Sequence, residues 1–93
     1  MSMEKYVIEI SPAAERDIKD LKTQLKDFND LVSTIDKLSI NPRPHGVRKV
    51  KGFSITFRIR FLSYRIIYDI YFKNKKIIIL RIIKRDKSTY KFI

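Results

Sequence analysis

The hydrophobic period of this chain switches from helical to strand-like at Asn41-Pro42-Arg43-Pro44. Before it, Ala14, Ile18, Leu21, Leu25 and Phe28 recur at spacings of four, three, four and three. That is one apolar stripe on a helix running to about Asp27, started by Ser11 as N-cap and Pro12 at the first helical position. Asn29 or Asp30 can cap a second helix, whose Leu31, Ile35 and Leu38 stripe ends near Ile40. Two prolines then stop it. After the break, Phe57-Arg58-Ile59-Arg60-Phe61 alternates strictly, apolar on one face and arginine on the other, the period of a strand.

The remaining segments follow the same logic. Lys5–Ile10 alternates loosely and is β-prone. His45–Gly52 reads as a loop or turn rich in cations. Leu62-Ser63 is a short connection, Tyr64–Phe72 a long strand, Lys73-Asn74-Lys75 a tight turn and Lys76–Lys84 a last strand. Tyr64, Ile66, Tyr68, Ile70 and Phe72 share one face, and Arg65, Ile67, Asp69 and Tyr71 the other. Apolar residues on both faces make this the central strand. The expected fold is α+β, a single domain over residues 1–93 in the order β-α-α-β-β-β. Its sheet is mainly antiparallel, with a two-helix hairpin on one face and residues 86–93 as a short tail.

Charge is divided as sharply as the period. Residues 46–93 hold fourteen Lys/Arg against Asp69 and Asp86, a net of +12; residues 1–45 hold seven against eight, a net of −1. The sum is the chain's +11. A basic sheet beside a neutral helical half is the electrostatic footprint of a polyanion binder, whether the polyanion is nucleic acid or an acidic protein. The cations alternate with apolar residues, so the sheet fixes them in space.

Several function classes fall away. There is no cysteine, hence no disulfide framework, thiolate metal site or cysteine nucleophile. His45 is the only histidine and offers no metal-binding set, so neither metal nor cofactor is expected. The longest apolar run, Ile77–Leu80, is too short for a membrane span. Met1–Ile10 lacks the pattern of a signal peptide, and a soluble cytoplasmic protein is expected.

The segments "RIRFLSYRIIYDI" (58–70) and "ILRIIKR" (79–85), with Gly52 before them and Tyr90-Lys91 after, resemble the RelE/ParE toxin superfamily. The resemblance covers almost the whole chain, since the preceding strand and helix pair follow that family's order. It implies a toxin of a type II toxin–antitoxin system, bound and inhibited by a small cognate antitoxin. The family holds two activities on one fold: RelE-like members cleave messenger RNA in the ribosomal A site, and ParE-like members poison DNA gyrase. Fold alone does not choose between them.

The residues favour the nuclease. Metal-independent RNA cleavage requires a deprotonated 2′-hydroxyl, a stabilised pentavalent phosphate and a neutralised 5′-oxygen. Arg58 and Arg60, two apart on a strand, project from one face, and Arg65 can join them across the short connection. Guanidinium forks pair bidentately with phosphate oxygens. Arginine cannot release a proton, so the base lies elsewhere. A phenol or an ammonium holds its proton to about pH 10, and surrounding cations favour both phenolate and free amine. Tyr90 and Lys84 are therefore the candidates.

By resemblance, Tyr90 lies near the nucleophile and Arg85 near the leaving oxygen. The expected catalytic set is Arg60, Arg65, Lys84, Arg85 and Tyr90, with Arg48, Lys49, Lys51 and Arg58 holding RNA phosphates. Each has a plainer reading. Alternating arginines are commonly a solvated sheet face, Arg65 can pair with Asp69, Tyr64 and Tyr68 suit packing, and His45 suits a loop. The leading function is a ribosome-dependent messenger-RNA endonuclease. The alternatives are a gyrase inhibitor without nuclease chemistry and a degenerate toxin that only binds its antitoxin.

Overall fold

A computed structural model describes residues 5–85. Tyr90 and the rest of the 86–93 tail lie outside the described residues. The elements run β1 (Val7–Ile10), α1 (Pro12–Gln24), α2 (Phe28–Lys37), β2 (Arg48–Lys49), β3 (Thr56–Phe61), β4 (Tyr64–Tyr71) and β5 (Lys76–Lys84). The strands form one sheet in the order β1-β5-β4-β3-β2. The β1–β5 pairing is parallel and the others are antiparallel. β4 is the middle strand, as its two apolar faces require.

Helix α1 starts as its sequence dictates. Ser11 is extended, and its hydroxyl accepts from the Ala14 N–H at 3.1 Å. Pro12 follows at a position where an amide donor has no helical partner anyway. Helix α2 begins at Phe28, ahead of the expected Asn29 or Asp30 cap. The Asp27 carbonyl accepts from the Asp30 and Leu31 amides, and Phe28 is drawn in against the core. The α2 helix ends at Lys37. Leu38, Ser39 and Ile40 continue as a tightened turn, each amide bonding the carbonyl three residues back.

One core joins both helices to one face of the sheet. Ala14, Leu21, Leu31, Ile35 and Leu38 meet Phe57, Ile66, Tyr68, Ile70, Ile77, Ile79 and Ile82. The β5 contribution skips from Ile79 to Ile82 because a bulge interrupts the ladder: Ile67 faces Arg81 while Tyr68 faces Ile79, and Leu80 is the extra residue. An unbroken apolar run such as Ile77–Leu80 carries no signal for that shift.

Two further departures matter for the site. The expected cationic loop contains a two-residue strand, β2, which pairs Arg48 with Arg58 and Lys49 with Phe57. Two residues are too few to show a period; the pairing comes from the backbone groups that β3 presents at its edge. The β3–β4 connection is a tight two-residue turn with Leu62 at φ 53. The Ser63 carbonyl in this turn accepts from the Arg85 amide at 2.8 Å, tying the end of β5 to it.

Beyond β1, side chains take over the β5 edge. The Ser11 hydroxyl donates to the Leu80 carbonyl at 3.0 Å. Asp17 accepts from the Ile82 amide at 2.9 Å and from Arg81 Nε and Nη2 at 2.8 and 3.2 Å. A carboxylate from α1 thus satisfies both an edge amide and the nearest sheet cation. No helix among the described residues is long and apolar enough to cross a membrane.

Candidate polyanion site

Cross-strand partners share a face of a sheet. Phe57 with Tyr68, Ile59 with Ile66 and Phe61 with Tyr64 therefore face the helices. Arg48 with Arg58 and Arg60 with Arg65 stand on the opposite face. Arg85 joins them because its amide donates a hydrogen bond to the Ser63 carbonyl, in the turn that links Arg60 to Arg65. The five arginines line a concavity of about 420 Å³ together with His45, Gly46 and Ile59. No acidic residue is among the described residues that line it.

Like charges placed opposite each other on a sheet repel. The Arg58 guanidinium is held below its ordinary value by burial, then by Arg65 and Arg48. Burial, then Arg60 and Arg65, acts on Arg85 in the same direction. Both stay protonated, because the ordinary value lies so high. The Arg85 side chain is only partly covered, yet its Nε is buried and meets no hydrogen-bond acceptor among the described residues. Convergent donors in a partly desolvated hollow bind an anion more strongly than the same donors spread on a surface.

The sequence-predicted residues divide by the pleat. Arg48, Arg58, Arg60, Arg65 and Arg85 come together. Lys84 does not line the hollow: it pairs with Tyr64, which packs against the core, and so belongs to the other face. Lys49 pairs with Phe57 and takes that face for the same reason. Lys51 lies in the turn after β2 and is not among the lining residues. Asp69 accepts from the Thr56 hydroxyl at 2.6 Å, while Arg65 lines the hollow.

His45 does line it, against the expectation of a plain loop residue. Its loop is anchored at several points. The Tyr68 hydroxyl donates to the Pro42 carbonyl at 2.8 Å, and Val47 packs against the core. The Val47 amide bonds the Pro44 carbonyl at 3.1 Å, and Gly46 at φ +91 supplies the positive value that such a turn needs at its third position. Pro44-His45-Gly46 is the sequence signal for that turn; its place beside the hollow is set by tertiary closure.

The family described as the ParE toxin of type II toxin–antitoxin systems matches residues 8–88. The chain belongs to the RelE/ParE toxin superfamily. The toxin is 31% identical over 88 residues to a RelE1 toxin candidate of Methanocaldococcus jannaschii, covering 94% of this chain and 97% of that one. It is similar to the RelE of an archaeal RelE–RelB complex from Pyrococcus horikoshii, with a TM-score of 0.74 and 27% identity over 89% of this toxin and 98% of that chain. The isolated Escherichia coli RelE toxin shares the fold, with a TM-score of 0.73 at 16% identity, covering 94% and 92% of the two chains.

Proposed function

We propose that this type II toxin is a ribosome-dependent messenger-RNA endonuclease, silenced by a cognate antitoxin. The observation that carries the reading is the convergence of Arg48, Arg58, Arg60, Arg65 and Arg85 on one hollow with no acidic lining residue among those described. A phosphodiester approaching the pentavalent state gains negative charge on its equatorial oxygens, and preorganised cations stabilise that growth most. Arg58 and Arg48 hold the chain, Arg60 and Arg65 grip the reacting phosphate, and Arg85 faces the leaving oxygen. Tyr90 remains a candidate proton carrier from the tail. The hollow orients phosphate but has few groups to align a flexible RNA, so a ribosome that presents the message in line supplies the missing positioning. Its action is then cytoplasmic, and no metal or cofactor enters the scheme.

Relatives of this fold are known as complexes with RelB partners, which supports an antitoxin here. A segment rich in Asp and Glu with apolar anchors would neutralise the arginines and suit exposed Leu62 beside them. The test is brief induction followed by mapping of message ends. Cuts within translated regions are expected; gyrase-linked DNA breaks with intact messages would sink the reading. The match to a family described as ParE favours gyrase inhibition as the second reading. That activity would give the five converging arginines no anion to stabilise in a reaction.

A further inference from the structure

The arginines cannot take a proton, so RNA cleavage in this hollow needs a base besides them. Among the described lining residues, His45 alone has a side-chain nitrogen that can accept a proton. It is exposed, so substrate can reach it, and it is fixed by the Pro44–Val47 turn and the Tyr68–Pro42 hydrogen bond. Of the two bases suggested by sequence, Lys84 stands with Tyr64 on the other face, and Tyr90 lies outside the described residues. We propose that His45 accepts the proton of the ribose 2′-hydroxyl next to the scissile phosphate, a role that rests on RNA cleavage being the reaction of this hollow.

The step balances without a co-reactant other than water. The 2′-hydroxyl proton passes to an imidazole nitrogen, and the 2′-oxygen forms a bond to phosphorus. The P–O5′ bond breaks with its electron pair on the 5′-oxygen, which takes a proton from water. A 2′,3′-cyclic phosphate and a 5′-hydroxyl result, and the imidazolium returns its proton to solvent. The charged groups that line the hollow with His45 are Arg48 from β2, Arg58 and Arg60 from β3, Arg65 from β4 and Arg85 after β5. Guanidiniums donate protons in hydrogen bonds but do not accept them, so an acid limb that disappears with the His45 side chain would report the imidazole.

The experiment measures cleavage of a translated message by the full-length toxin and its His45→Ala and His45→Gln variants across pH. Both variants should lose roughly a hundredfold or more in rate, the usual scale of general base catalysis. The acid limb should vanish with them, and added imidazole should restore part of the His45→Ala rate. Anion binding, read by the salt dependence of ribosome association, should stay unchanged. An active parent with variants within about threefold of it, or slow variants that keep the acid limb and ignore imidazole, would overturn the role of His45 alone. A parent that cuts no message would overturn the nuclease reading and the base with it.

Discussion

The two faces of strand β3 are built from the same six residues and have opposite fates. On one, Phe57, Ile59 and Phe61 meet the helices, and every large group finds a partner inside the chain. On the other, Arg58 and Arg60 are paired across the ladder with Arg48 and Arg65, cation against cation. A designer seeking only stability would not leave that second face so. The covered face is apolar and packed; the open face sets cation beside cation. Arg81 sharpens the contrast, because Asp17 neutralises it within the chain, whereas no acidic residue is among those lining the hollow.

The comparison breaks most clearly in the core. Ile66→Ala, at a fully buried site, should cost about 2–5 kcal/mol of stability, measured by urea unfolding. Arg60→Ala stands one residue further along the neighbouring face and should leave unfolding unchanged or slightly favour the fold. Its effect belongs to cleavage, which should fall on the order of a hundredfold, about 3 kcal/mol of transition-state stabilisation. Unchanged toxicity would make it an ordinary surface arginine. Adding inorganic phosphate should raise the melting temperature of the parent more than that of Arg60→Ala.

Asp17→Asn tests the neutralised cation. It weakens the charged hydrogen bonds to Arg81 and the Ile82 amide and should cost about 1.5–3 kcal/mol. A change near zero would show that the edge is held by β1 and Ser11 alone. Tyr68→Phe is the smallest perturbation, removing one hydroxyl and about 1 kcal/mol. It also carries a pH signature. Burial raises the Tyr68 phenol above its ordinary value, so the folded protein keeps a proton that the unfolded chain gives up above about pH 10. Stability is therefore full below that pH and lost as pH climbs beyond it. In Tyr68→Phe the alkaline slope should flatten.

Much of this was legible in the sequence, and the reason is the pleat. The strict alternation from Phe57 to Phe61 assigned β3, its faces and two arginines at once. The Ser11-Pro12 start of α1 was equally plain, because capping is a local matter. What escaped notice depended on partners far along the chain. Arg48 was named, but its place opposite Arg58 follows from β2 closing on β3, and His45 lines the hollow on a loop that Tyr68 holds. Lys84 looked like Arg85's equal, although adjacent residues at a strand end serve different faces. The Leu80 bulge was hidden within a run of isoleucines, where any register looks alike.

The parallel pairing of β1 with β5 sets Val7 beside Lys76 and Ile10 beside Ile79. During synthesis, the first strand must wait for the last before it has anything to pair with. Closing so long a segment is entropically slow, and Arg85, which completes the hollow, follows at the end of that same last strand. A nascent chain short of β5 has both helices and most of its arginines but neither a finished sheet nor a finished site. The order of translation thus completes the arginine hollow only after β5 has been made.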